Sequence, residues 1–145
     1  LGGRDMMTAA RKAVDASGPD SHSKLIAVSI LTSTSQQSLI ELGINKTIEQ
    51  AVTDLTRMAL ECGLDGMVCS AQEAIQLRDL FGPEPLLVTP GIRPAGAATD
   101  DQQRIMTPLK AIQSGASYLV IGRPITQHPQ PFEELKRINA SLNNI

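Results

Sequence analysis

Short apolar runs alternate with amphipathic helical patterns along the chain, and this alternation restricts the possible folds more than any other feature. Strands are predicted at residues 25–31, 66–69, 86–89 and 118–121. Helices are predicted at residues 4–16, 47–62, 70–81, 107–114 and 131–143. Strands that alternate with helices favour right-handed crossovers and a parallel α/β sheet.

Local signals support several of these elements. Thr47 and Gln50 form a capping box at the start of the second helix, and Ser70 and Glu73 repeat that spacing at the next one. The run at 25–31 is nearly continuous and predicts a strand buried on both faces. Two helices have apolar residues that we expect to face the core: Ile48, Val52, Leu55, Ala59 and Cys62 in one, and Phe132, Leu135, Ile138 and Leu142 in the closing one.

Composition excludes several functional classes. The net charge is −2 and the basic residues are scattered, so no surface for nucleic acid or membranes is indicated. The longest apolar run is too short to cross a bilayer and no export signal opens the chain, which predicts a cytoplasmic protein. Cys62 and Cys69 are expected to be ordinary thiols, and His22 and His128 surface side chains.

The extent of the chain suggests one incomplete domain. Residues 1–145 open with Leu1-Gly2-Gly3, which has no initiator Met and is typical of a turn between a strand and a helix. We expect a fragment that forms a single domain. Four strands after an unpaired helix are compatible with a partial β/α-barrel domain, the second half of an eight-stranded barrel, or with a small doubly wound sheet.

Two loops carry residues suited to a phosphate. Residues 89–94 (Thr-Pro-Gly-Ile-Arg-Pro) follow the third strand, and residues 122–126 (Gly-Arg-Pro-Ile-Thr) follow the fourth. Glycine lets the backbone approach an anion closely, and arginine offers a fork of donors. A single such pair is more often a solvated arginine, but two at matching positions favour phosphate binding, which barrels place after their last strands. The long loop at 95–104 is expected to be a lid that brings Gln102 to the anion.

The ordered set of motifs resembles bacterial orotidine 5′-phosphate decarboxylase over nearly the whole chain from Gly2. The motifs are Ile30-Leu-Thr-Ser33, Gly63-Leu-Asp-Gly66, Val68-Cys-Ser70, residues 89–94, Asp101-Gln102 with Arg104, and Ile121-Gly-Arg-Pro124. The resemblance implies the C-terminal half of a TIM (β/α)8 barrel, comprising strands five to eight.

The resemblance also implies the roles of individual residues. Arg123 and Gln102 would hold the phosphate of orotidine 5′-phosphate together with the backbone of Gly122. Arg93 would bind ligand in the same cluster, and Thr32 would lie against the pyrimidine. The family uses no metal and no organic cofactor. Its Lys-Asp array, which stabilises a carbanion and supplies the proton, is not found in these residues. It is expected upstream of Leu1, so no catalytic residue lies in this chain and the chain alone is expected to be inactive.

Other functions remain open at this point. Sibling barrels such as hexulose-phosphate synthase or ketogulonate-phosphate decarboxylase share the phosphate grip but use a metal ion. A non-catalytic half-barrel that binds phosphate compounds or a partner is the other alternative. For the decarboxylase, the resemblance implies orotidine 5′-phosphate and UMP as ligands and a homodimer of the full-length protein.

Overall fold

The predicted strands form one parallel sheet in a computed structural model that describes residues 2–18, 22–94 and 105–142. They are β1 (Ile26–Val28), β2 (Gly66–Val68), β3 (Leu86–Thr89) and β4 (Tyr118–Leu119). The spatial order is β1-β2-β3-β4, and each neighbouring pair is parallel. Val28, Val68, Val88 and Tyr118 lie in one row across the strands. The parallel α/β fold class is therefore confirmed.

Helices alternate with the strands as predicted. The helices before β3 are α1 (Gly3–Asp15), α2 (Gln36–Glu41), α3 (Ile48–Glu61) and α4 (Ala74–Phe81). Those after β3 are α5 (Pro108–Gln113), α6 (Arg123–Thr126) and α7 (Pro131–Leu142). The sequence did not predict α2, whose N-cap Ser35 accepts the Ser38 N–H. Within the described ranges, no helix is long and apolar enough to cross a membrane.

Apolar side chains fill the space between the helices and the sheet in two clusters. The first lies around α3, where Val52 and Ala59 are fully buried and Ile48, Leu55 and Cys62 pack beside them. The predicted apolar face of α3 is therefore confirmed. The second cluster joins the segments after β2 and β3 to α5, through Ala71, Ile92, Ala111 and Ala116.

The two predicted capping boxes form differently. At α3 the Thr47 Oγ1 accepts the Gln50 N–H and the Gln50 Oε1 accepts the Thr47 N–H, both at 3.1 Å. At α4 the Ser70 N–H donates to Glu73 Oε2 at 2.7 Å, but the Ser70 hydroxyl accepts the Gln72 N–H at 3.3 Å. Residues 71–73 therefore form a turn, and the helix predicted from Ser70 begins at Ala74.

Gly66 and Arg78 hold β2, β3 and β4 together. Gly66 lies opposite Leu86, and a Cβ on Gly66 would overlap the Leu86 carbonyl. The strands approach this closely because the residue has no side chain. The Arg78 side chain extends from α4, and its guanidinium donates to five oxygens in two connecting segments. These are the carbonyls of Gly82, Pro83, Pro85 and Gly115 and the hydroxyl of Ser117.

Asp65 joins the amino ends of β1 and β2 to α1. Its carboxylate accepts the Leu25 N–H at 2.7 Å and binds Arg11 Nη1 at 3.1 Å and Lys24 Nζ at 3.5 Å. The Leu25 N–H is the main reason why the pKa of Asp65 is lowered, with Lys24 and Arg11 adding to it against the cost of burial. The group therefore stays ionised and holds three segments in place.

Two predictions about burial are wrong. The strand expected at 25–31 is shorter. Val28 and Leu31 are 60% and 61% exposed, because β1 is an edge of the described sheet. In α7, which packs against α5 and α6, Ile138 is buried but Phe132 is 66% exposed and Leu135 38% exposed. The inward stripe runs through Glu134 and Ile138, one helical turn apart, which turns Phe132 to the opposite face.

Candidate functional site

The predicted ligand-binding loops follow the carboxyl ends of the parallel strands. Thr32 lies after β1, Arg93 after β3, and Gly122 and Arg123 after β4. Because all four strands run in the same direction, these loops emerge at one edge of the sheet. β3 and β4 are neighbours, so the two arginine loops are adjacent, whereas Thr32 lies at the far edge strand.

Arg93 is a buried side chain and differs from an ordinary solvated arginine. It is 6% exposed, and its Nη1 donates to the Ile92 carbonyl at 3.0 Å. Its backbone N–H donates to the Met106 carbonyl at 3.0 Å, and Ile92 bridges to Met106 in parallel fashion. Both sides of the long loop are therefore joined at this point, which fixes where Arg93 leaves the backbone.

Gly122 and Arg123 form the turn from β4 into α6. The Gly122 carbonyl accepts the N–H groups of Ile125 and Thr126, at 2.9 and 3.1 Å, and α6 begins at Arg123. A Cβ built on Gly122 would meet no described atom within 4 Å. Gly122 therefore borders open space in the described structure, and Arg123 is partly exposed beside it.

Thr32 lies in the turn that leads from β1 to α2. The Thr34 N–H donates to the Leu31 carbonyl at 2.9 Å, which closes this turn, and Thr32 is 6% exposed. A threonine in this position is fixed by its surroundings. Gln102 and the lid predicted at 95–104 lie outside the described residues.

The sequence reasoning missed one charged group near these loops. The sequence predicts Glu73 as a helix cap. In the structure Glu73 is a buried residue, only 4% exposed, in the turn after β2. The signal was present, because Ser70 and Glu73 have capping-box spacing just before an apolar run. The spacing does not tell how deeply the carboxylate is buried.

A separate cavity lies away from the arginine loops. It has a volume of about 810 Å³ and is lined by residues of α1, β1, β2 and α3. Met6, Met7 and Ala10 line it from α1, and Ile26 and Val28 line it from β1. Its walls are mainly apolar and come from residues 2–67, so it is distinct from the loops that carry Arg93 and Arg123.

Known proteins resemble this chain along its whole length. Orotidine 5′-phosphate decarboxylase from Nitrosococcus oceani is 54% identical over 145 residues, which are 100% of this chain and 62% of that relative. The enzyme of the same name from Nitrosomonas europaea is 52% identical and 61% covered. The chain thus spans about three fifths of the length of these curated relatives.

A solved structure and a family profile carry the same enzyme name as these relatives. The crystal structure of orotidine 5′-phosphate decarboxylase from Lactobacillus acidophilus superposes with a TM-score of 0.82 at 37% identity, covering 99% of this chain and 60% of that one. The profile described as "Orotidine 5'-phosphate decarboxylase / HUMPS family" matches residues 1–138. The chain therefore belongs to the orotidine 5′-phosphate decarboxylase / HUMPS family.

Proposed function

We propose that this chain is the substrate-gripping part of an orotidine 5′-phosphate decarboxylase, which converts orotidine 5′-phosphate to UMP and CO2 in the last step of pyrimidine nucleotide synthesis. The observation that carries the proposal is the 54% identity, over the entire chain, to a relative of that name. Relatives of the same name from Escherichia strains are 50–51% identical over 141 residues.

Two further observations support the proposed portion of the protein. The described sheet has four parallel strands in chain order, half of the eight in a closed β/α barrel. The chain covers only 60% of the solved Lactobacillus enzyme. We propose that residues 1–145 supply strands five to eight within a polypeptide of the relatives' length. A homodimer in the cytoplasm, as the resemblance implies, is part of the same proposal.

The five predicted residues would contact different parts of the substrate. Arg123, Gln102 and the Gly122 backbone would bind the phosphate, with Arg93 in the same cluster, and Thr32 would contact the pyrimidine. The burial of Arg93 supports this role, because a guanidinium withdrawn from water interacts strongly with an anion. Contacts to the unreactive phosphate lower the barrier when they tighten as the site closes.

The bond-breaking step would use residues beyond these 145. Loss of CO2 leaves an electron pair at C6 of the pyrimidine, and a lysine ammonium of the Lys-Asp array would stabilise that pair and then protonate the carbon. No metal or organic cofactor is needed for this sequence of events. Residues 1–145 would contribute binding energy and the closure of the site.

The experiment compares substrates in the complete protein that contains this chain. We expect loss of orotidine 5′-phosphate absorbance at a rate unaffected by EDTA. The sibling barrels would instead act on a hexulose or ketogulonate phosphate and lose activity with EDTA. Metal-dependent turnover of a phosphosugar without decarboxylation of orotidine 5′-phosphate would contradict the proposal. Phosphate-ligand binding with neither activity would favour the non-catalytic half-barrel.

A further inference from the structure

Glu73 is a buried acid in the turn that follows β2. The residue is 4% exposed, and its Oε2 accepts the Ser70 N–H at 2.7 Å. The same turn is closed by the Glu73 N–H, which donates to the Ser70 carbonyl at 3.1 Å, and by the Gln72 N–H, which donates to the Ser70 hydroxyl at 3.3 Å. Side chain and backbone together fix the course of residues 70–73.

A buried carboxylate is more than a helix cap requires. The equivalent position at α3 is Gln50, a neutral and exposed residue that accepts the Thr47 N–H at 3.1 Å. Withdrawing a carboxylate from water is costly unless it is well bonded, and a charge-assisted bond is stronger than a neutral one. The Ser70 N–H gives Glu73 a charge-assisted bond of this kind at 2.7 Å, and that bond stabilises the shape of the turn.

The turn shares a buried cluster with the segment that carries Arg93. The Cys69 N–H donates to the Val88 carbonyl at 3.1 Å, so the ends of β2 and β3 remain in register where their loops begin. Ala71, in the middle of the turn, belongs to the same buried cluster as Ile92. Ile92 is fully buried and directly precedes Arg93. A shift of the turn would therefore move the backbone at Ile92 and Arg93, and with it the direction of the Arg93 side chain.

We propose that Glu73 is a positioning residue, which fixes the 70–73 turn and, through the buried cluster that contains both Ala71 and Ile92, the direction of the Arg93 side chain toward the substrate. Glu73 acts through the protein and touches no reacting atom. The inference rests on the proposed function, because Arg93 has to be a residue that binds the phosphate-bearing substrate.

The test uses the complete protein and three variants. Glu73→Met removes the acceptor at similar volume, and Glu73→Gln retains an oxygen for the Ser70 N–H. Ala71→Gly removes the methyl group that Ala71 contributes to the buried cluster containing Ile92. The readout is kcat/KM for orotidine 5′-phosphate divided by kcat/KM for orotidine, which lacks the phosphate. We expect this ratio to fall about tenfold in Glu73→Met, about twofold to threefold in Ala71→Gly, and by less than about twofold in Glu73→Gln.

Thr56→Val is the matched control, because Thr56 is fully buried and its hydroxyl donates to the Val52 carbonyl at 2.8 Å within α3. It should lower the urea midpoint and leave the ratio unchanged. An unchanged ratio in Glu73→Met, or in Ala71→Gly if Glu73→Met does not fold, would overturn the inference. Equal damage by Glu73→Gln and Glu73→Met would overturn the role of the Ser70 contact. A wild-type protein that does not decarboxylate orotidine 5′-phosphate would instead reject the proposed function.

Discussion

At the scale of single residues, the two arginines of the predicted phosphate site have different surroundings. Arg93 is buried and its segment is bonded to Met106, whereas Arg123 is partly exposed at the start of α6. A buried guanidinium keeps a fixed direction, and a partly exposed one is accessible to a ligand from solution. We therefore expect Arg123 to contribute binding energy to the phosphate itself.

Arg123→Ala in the complete protein should remove a charge-assisted contact and cost about 1.5–3 kcal/mol in kcat/KM for orotidine 5′-phosphate. Gln102→Ala should cost less, because the Gln102 amide is uncharged and its hydrogen bond is weaker than one from a guanidinium. Both losses should nearly vanish with orotidine, which offers no phosphate. Arg57→Ala, a change at an exposed arginine that lies over the Phe81 ring, is the control and should affect neither substrate. Equal impairment of Arg123→Ala on both substrates would refute a phosphate contact.

Thr32→Val tests the predicted contact with the pyrimidine. The substitution retains the branched shape of a residue that is 6% exposed and removes its hydroxyl. Loss of a neutral hydrogen bond should weaken binding by about 1–2 kcal/mol, measured as the inhibition constant of UMP in the complete protein. The matched control is Thr56→Val, whose buried hydroxyl donates to the Val52 carbonyl at 2.8 Å within α3 and which should leave the inhibition constant unchanged. Unchanged inhibition by UMP would show that Thr32 only packs.

The sequence could predict which residues follow each strand but not how deeply they are buried. Thr32 follows β1, Arg93 follows β3, and both Gly122 and Arg123 follow β4, because position along the chain decides this. The burial of Glu73 was missed, since it depends on packing between segments that follow different strands, such as those of Ala71 and Ile92, which share a buried cluster. A short motif contains no information about such contacts.

At the scale of secondary structure, Asp65 shows how one side chain joins three elements. Asp65→Ala would leave the partly buried Leu25 N–H without its acceptor and separate Arg11 of α1 from the sheet. We expect a loss of about 1–3 kcal/mol in the free energy of unfolding, measured with urea. Asp54→Ala removes an exposed pair with Lys46 and should cost less than about 1 kcal/mol. Similar losses for the two variants would contradict the special role of Asp65.

The lowered pKa of Asp65 also predicts how stability depends on pH. Its ordinary value is 3.8, and the folded state binds the proton less tightly than the unfolded state does. The stabilisation is therefore complete above pH 3.8 and is lost as the pH falls through the lower pKa of the folded state. Asp65→Asn should remove this contribution, so its unfolding free energy should approach that of the wild type in acid. A difference that stays constant down to the most acidic pH would refute this explanation.

At the scale of the whole molecule, the described sheet has two open sides. Val28 and Leu31 are exposed at β1, and Tyr118 and Phe132 are exposed near β4 and on α7. The sequence predicted the strands correctly because local alternation determines them. It overestimated burial at β1 and α7. An apolar pattern predicts that a residue is buried, but the residue is buried only where another segment covers it.

Residues 1–145 expressed alone should be catalytically inactive and should self-associate. The outer edges of β1 and β4 offer backbone groups for pairing, and exposed apolar side chains lie beside them. Sedimentation should show oligomers that increase with concentration, and orotidine 5′-phosphate should remain unchanged in the assay. Val28→Lys, a charge placed at the β1 edge, should reduce association, whereas Ile75→Lys on the exposed side of α4 should not. Turnover near that of the complete protein would refute the first part of this prediction.

The order of the strands has a consequence for synthesis on the ribosome. Because β1, β2, β3 and β4 pair in the order in which they are translated, each new strand meets a partner that has already emerged. Arg78 is different, since it also requires Gly115 and Ser117, 37 and 39 residues further along. We expect α4 in ribosome-bound nascent chains to become resistant to protease only after β4 has left the exit tunnel. Equal resistance in chains arrested before β4 would show that the Arg78 contacts are not needed to hold α4.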